Sequence, residues 1–139
     1  MIKCLSIRQP WADAIFEQGK DIENRNWSTN FRGMVAIHSS LKRDDSFFSK
    51  FVEDRKINLR PFEKLSLEGY IIGVVNITDS VKNHNSLWFE GEYGFLLSNP
   101  VRLNPIKMKG SLKLFDLPVE IEKEIQQQLK NLKGSNHEI

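Results

Sequence analysis

The chain has 139 residues, 40% of them apolar, and its 20 Lys and Arg nearly balance 18 Asp and Glu. That length suits one domain with its own core and leaves no room for two. No run of about 18 apolar residues exists, which excludes a membrane-spanning helix, and a net charge of +2 decides little about partners by itself.

Leu5 and Ile7 alternate with Ser6 and Arg8, predicting a first strand that ends at Pro10. Trp11, Ala12, Ala14, Ile15 and Phe16 predict a short helix to Gln18, with Pro10 in its first turn and Gly19 as its stop. Asp21 to Trp27 is polar and strand-like, and Gly33 to Ser39 is a clear apolar strand. Phe47, Phe48, Phe51 and Val52 mark one face of a helix from Asp44 to Lys56, which Asp44 or Asp45 could cap. Gly69 to Asp79 reads as a strand apolar on both faces, Glu92 to Leu103 as a long strand interrupted at Pro100, and Ser111 to Phe115 as a short one. Pro118 to Lys133 closes the chain as an amphipathic helix with Val119, Ile121, Ile125, Leu129 and Leu132 near one stripe. Gly134 ends it, and residues 134–139 are expected to form a loose tail.

These elements predict a single domain over residues 1–139, a mixed α+β fold. About six strands form a small, mostly antiparallel β-barrel with two or three helices at its margins. No GxGxxG or GxxxxGK[ST] is present, so nucleoside triphosphates and dinucleotides lack their usual cradle. The N-terminus has no basic stretch followed by a long apolar one, so no secretory signal is expected. Cys4 is the single cysteine, which allows no intrachain disulfide and fits a reducing, cytoplasmic compartment.

Candidate chemistry gathers in three places. As a strand, Asp21, Glu23, Arg25 and Trp27 share one face, with Lys20 on the other unless the turn at Gly19 redirects it. That group reads as a polar pocket or as an exposed Glu23–Arg25 pair. Arg8, Gln9 and Trp11 stand where a strand passes into a helix; they read either as a group that bonds and stacks a base or as a core Trp11 with Arg8 paired to a surface carboxylate. The segment Trp88 to Phe95 reads either as a rim that holds Glu92 or Tyr93 over a cleft or as a hairpin with core aromatics.

Other signals are weaker. His38 and Ser39 are neighbours on a strand, so they face opposite ways and argue against a hydrolytic triad. Between Val101 and Phe115 the basic residues Arg102, Lys107, Lys109 and Lys113 stand with no acid among them. Such a strip meets phosphate or is simply solvated. Lys109 and Gly110 would bring a cation and a backbone amide to a bound anion. No His, Cys or carboxylate pair has zinc-ligand spacing, so no structural metal site is expected.

Three ordered blocks then resemble the ASCH (activating signal cointegrator homology) domain family. They are Ser6-Ile7-Arg8-Gln9-Pro10-Trp11-Ala12, Gly19 through Trp27, and Arg32-Gly33 with Ile37-His38-Ser39-Ser40. Tyr93-Gly94-Phe95 and Lys109-Gly110-Ser111-Leu112 fit the same pattern, so the resemblance runs from about residue 3 to Leu117. It implies the PUA-like superfamily, whose fold is a small β-barrel with helices across its ends. It also implies a cleft for RNA or a nucleobase built on a GxKxxExR signature, which falls here on Lys20, Glu23 and Arg25. Gln18 stands where the signature has glycine, with Gly19 one place later.

Some small bacterial members of the family resemble amidohydrolases of N4-acetylcytidine that use the signature Lys, a Thr three residues on and a distant Glu. Here Glu23 takes the place of that Thr. Other relatives are linked to cleavage of single-stranded RNA. The expectation is therefore an RNA- or nucleoside-binding domain. Its binding residues would be Arg8, Gln9, Trp11, Lys20, Glu23, Arg25, Trp27, His38, Ser39, Tyr93 and Lys109. The alternative is a small hydrolase of the same cleft, with Lys20 and Glu23 as the catalytic pair. No cofactor is required, though RNA cleavage would admit a divalent cation, and a membrane is not an expected partner. A protein-interaction module is the plainer third reading.

Overall fold

The computed structural model describes the fold of residues 1–137. Its elements in chain order are β1 (Lys3–Gln9), α1 (Trp11–Glu17), β2 (Ile22–Arg25), β3 (Gly33–Arg43), α2 (Asp45–Asp54), β4 (Tyr70–Val81), β5 (Tyr93–Lys107), β6 (Leu114–Asp116) and α3 (Val119–His137). The six strands form one mixed sheet in the order β2-β5-β4-β3-β1-β6. Only β1 against β3 is parallel; β2–β5, β5–β4, β4–β3 and β1–β6 are antiparallel. The mixed α+β class is as predicted, but the barrel is not: β2 and β6 remain as the two edges and the sheet does not close. At three and four residues, β6 and β2 are short edges, a form that limits pairing with other chains.

Period-two alternation sorts the core between the two faces of the sheet. Leu5, Ile7, Val35, Ile37, Val75 and Phe95 pack on one face with Ala12 and Ile15 of α1. Cys4, Ala36 and Val74 pack on the other with Ile125 of α3. β4 is buried on both faces along most of its apolar stretch, as its composition implied. A third cluster joins α1, α2 and β2 through Ala14, Phe48, Phe51, Ile22 and Trp88.

The element boundaries shift where tertiary pairing extends them. β3 runs four residues beyond Ser39 to Arg43, and β5 runs through Pro100 to Lys107. Register shifts along the β4–β5 ladder accommodate the irregularity. α3 passes through Gly134 to His137, so the predicted stop is wrong at that glycine; residues 138–139 of the predicted tail lie outside the described residues. Among the described residues no helix is long and apolar enough to cross a membrane.

Candidate functional site

Gly19 decides the geometry of the signature. Its φ of +67° lies in the left-handed region that glycine adopts at little cost. The turn ends α1 and carries the Lys20 amide back to the Ala14 carbonyl. Gln18 has the C-cap position, and its side chain instead ties to the backbone of Arg60, donating from Nε2 and accepting at Oε1. The glycine this bend needs is thus at 19, one place after the signature's own.

The same bend sends Lys20 inward. Its Nζ donates to the Glu23 carboxylate at 2.6 Å and to the Ile22 carbonyl at 2.6 Å. Glu23 and Arg25, two residues apart on β2, share a face as predicted, and the Arg25 guanidinium donates from Nε and Nη2 toward Glu23 Oε2 at 3.1 and 2.9 Å. Arg25 Nη2 also donates to the Ser6 carbonyl on β1. Side-chain exposure rises outward along this relay, from 1% at Lys20 and 9% at Glu23 to 22% at Arg25. Burial pushes the Glu23 carboxyl up, but the flanking Lys20 and Arg25 charges and their hydrogen bonds outweigh it and hold the group below its ordinary range.

Above this relay lies a cleft of about 540 Å³. Ser6 and Arg8 of β1 and Asn24 and Arg25 of β2 form one side, and Asp44, Phe47 and Phe51 of the α2 region form another. Ser111, Leu112 and Lys113 supply the third, just before β6. Four cations (Arg8, Lys20, Arg25, Lys113) face three carboxylates (Glu23, Asp44, Glu90). Phe47 and Leu112, on different walls, are exposed apolar side chains at 53% and 88%. A cationic floor between two apolar lips suits a flat ring that carries an anion.

The predicted residues divide between the cleft and the scaffold. Arg8, Trp11, Lys20, Glu23 and Arg25 line the cleft. Trp11 is only partly available, because Phe48 and Phe51 meet its ring edge-on at 4.9 and 5.0 Å and its Nε1 donates to Asp44. Gln9 is fully buried, donating to the Leu67 carbonyl and accepting the Asp13 amide. Ser39 is likewise internal, exchanging hydrogen bonds with both backbone groups of Tyr70. Trp27 is half-buried, packing on Phe95 with Lys113 Nζ 5.5 Å from its ring centroid, and it does not itself line the cleft, nor do Tyr93 and Lys109. Asp21, expected on the pocket face, instead accepts from Ser86 at the surface.

His38 serves the scaffold of the site. Its Nε2 donates to the Met108 carbonyl at 2.7 Å, which leaves Nδ1 to accept from Ser6 Oγ at 2.9 Å. Gly110 is seated on this pair: a Cβ there would fall 2.6 Å from Ser6 Oγ and 2.7 Å from the His38 ring. The His38 bonds to Ser6 and to the Met108 carbonyl, with Gly110 seated against them, pin the 108–113 segment to β1 and β3. Burial lowers the His38 pKa, consistent with the neutral tautomer this bonding requires.

Sequence reasoning missed the α2 wall and the segment after Gly110. The spacing groups Phe47 with Phe48, Phe51 and Val52 on one helical face, yet Phe47 is 53% exposed and lines the cleft. The rim carboxylate is Glu90 rather than Glu92, held by its amide donating to Asn24 Oδ1. The basic strip does not form one surface: Lys113 reaches the cleft, while Arg102 lies elsewhere against Asp13 and Glu17 at 2.9 Å each. Among the described residues no group of three or more His, Cys, Asp or Glu is gathered to hold a metal ion.

A comparison with curated proteins returns no match. The family model for the ASCH domain matches residues 5–124, a span that holds β1 from Leu5, β2 through β6, the start of α3 and every residue of the cleft. With most of its length so matched, and with the signature lysine, glutamate and arginine bonded to one another beneath the cleft, this chain belongs to the ASCH domain family.

Proposed function

We propose that the chain binds single-stranded RNA, seating one nucleotide in the cleft above Lys20, Glu23 and Arg25. The observation that carries this reading is the pairing of exposed cations, Arg8 and Lys113, with the exposed apolar lips Phe47 and Leu112 around one opening. The cations suit a phosphate and the lips a base. Arg25 is part of the floor: bonded to Glu23 and Ser6, it presents a fixed guanidinium edge. Stacking of this kind contributes about 1–3 kcal/mol per base.

The geometry favours binding over the hydrolase alternative. Lys20 Nζ donates to the Glu23 carboxylate and the Ile22 carbonyl, and its side chain is only 1% exposed, which supports a role as the buried ion-pair partner of Glu23. Glu23 is engaged by two cations and has no hydroxyl to offer where the amidohydrolase pattern has threonine.

The test is fluorescence anisotropy with a labelled single-stranded RNA across a salt series. Affinity should fall with salt, and Arg8→Ala and Lys113→Ala should each weaken binding and lower the log–log slope by about 0.7. Affinity unchanged in both variants would remove this cleft from the RNA-binding reading. In parallel, conversion of N4-acetylcytidine to cytidine by the wild type, lost in a Lys20→Ala variant that circular dichroism shows to be folded, would establish the hydrolase instead.

A further inference from the structure

Of the cleft's carboxylates, Glu23 is held by Lys20 and Arg25, and Glu90 lies 3.6 Å from Arg55. Asp44 takes part in no ion pair among the described residues. Its Oδ2 accepts the Trp11 indole N–H at 3.0 Å, and no hydrogen bond reaches its Oδ1 among the described residues. Asp44 also occupies the N-cap of α2, where an aspartate side chain ordinarily accepts an amide of the first turn and contributes about 1 kcal/mol. No such cap bond is made here. The side chain is instead turned to Trp11, which fixes one oxygen and leaves the other as an acceptor on the wall that also carries Phe47.

We infer that Asp44 selects the base: the cleft takes a nucleobase bearing an exocyclic amino group, which donates to Asp44 Oδ1, and disfavours uracil. This rests on the RNA-binding reading above and adds a preference to it. A carboxylate oxygen with no proton of its own suits an amino donor such as N4 of cytosine or N6 of adenine. Uracil offers only a ring N–H flanked by two carbonyl oxygens, which the carboxylate repels. Because Oδ2 is committed to Trp11, a single acceptor is available, so a paired contact with two donors of one base is not formed.

The inference carries a sign reversal that a general electrostatic role does not. In Asp44→Asn the amide oxygen still accepts from Trp11 Nε1, so the amide nitrogen takes the place of Oδ1. The acceptor becomes a donor, complementary to a uracil carbonyl.

The experiment measures anisotropy for labelled C-, A- and U-tract oligoribonucleotides of equal length at one salt concentration, with the deoxy C-tract alongside. The wild type should bind the C- and A-tracts about tenfold more tightly than the U-tract. Asp44→Asn should abolish or reverse that order, and Trp11→Phe, which removes the orienting N–H, should narrow the difference between the tracts.

Equal binding of all three tracts by the wild type overturns the assignment but leaves RNA binding standing. A uniform gain for all tracts in Asp44→Asn overturns it too, since that is the mark of a deleted repulsive charge. If Asp44→Asn removes only a preference for the ribose over the deoxyribose C-tract, Asp44 meets the 2′-hydroxyl and the base assignment falls. Absence of binding to any tract overturns the RNA reading and this inference together.

Discussion

Lys20 Nζ and Glu23 Oε1 lie 2.6 Å apart with their side chains only 1% and 9% exposed. Read as one continuous strand, Lys20 and Glu23 would face opposite sides of the sheet; the left-handed turn at Gly19 brings them together. The pair is shielded from solvent and satisfied by Arg25 and the Ile22 carbonyl, so removing one member strands the other.

Lys20→Ala should therefore destabilise the domain by about 3–5 kcal/mol, the usual cost of leaving one charge of a buried pair uncompensated. Urea unfolding monitored by tryptophan fluorescence measures it. A loss under about 1 kcal/mol would mean that water or Arg25 replaces the ammonium with little penalty.

The depressed Glu23 pKa links stability to acid. The folded value lies below the unfolded value near about 4.3, so the unfolded chain binds the proton more readily. The contribution is fully present above the unfolded value and is lost as pH falls through the folded one. Unfolding free energy should decline below about pH 4.3 in the wild type, and Glu23→Gln, less stable at neutral pH, should decline less steeply there.

His38 gives a second and separable pH dependence. Its folded pKa lies below the unfolded value near about 6.5. As neutral imidazole is the form bonded to Ser6 and Met108, stability is complete above that pH and falls as pH drops toward the folded value. Thermal unfolding between pH 8 and pH 5 (about 1.5 units either side of the unfolded value) should show this loss, and His38→Gln should lack it.

Two glycines should respond in opposite directions to alanine. At Gly110 the added methyl meets Ser6 Oγ and the His38 ring within 2.8 Å. The 108–113 segment must then move, at a cost of about 1–3 kcal/mol, taking Lys113 out of place and weakening RNA binding. At Gly134, inside α3, nothing lies within 4 Å of the new methyl. Gly134→Ala should stabilise by about 0.5–1 kcal/mol and leave binding unchanged. Melting temperatures and RNA anisotropy on both variants check the contrast.

Cys4 is fully buried between β3 and β6, and burial pushes its thiol up to about 12. In the native state it should resist thiol reagents at pH 8 and react at the rate of a free cysteine once the chain is unfolded in urea. Rapid labelling of the folded protein would show that β1 opens locally.

Local pattern placed the strands: Leu5 and Ile7 alternate with polar residues, and Met34 to Ile37 and Tyr70 to Val75 are short apolar runs of strand length. The family was legible as a resemblance carried by several ordered blocks, Ser6 to Ala12, Gly19 to Trp27 and Arg32-Gly33 with Ile37 to Ser40, among which Lys20, Glu23 and Arg25 fall on its signature. Chain order could not say whether the sheet closes, since closure depends on whether β2 and β6, distant in sequence, pair with each other. It could not separate Gln9 and Ser39, which satisfy buried backbone groups, from Arg8, which reaches the cleft. Side chains one position apart on a strand differ only in the face they take, and bulges at Ile7/Gln9 and Ile37/His38 shift that face. The α2 wall was hidden for a related reason: Phe47 and Phe48 look alike in sequence, yet Phe48 packs between Trp11 and Trp88 and is buried, while Phe47 meets only Trp11 of the two, at 6.1 Å between ring centroids, and is 53% exposed. The sequence by itself determined the strands, the helices and the charged triad; long-range packing alone decided which side chains surround the cleft.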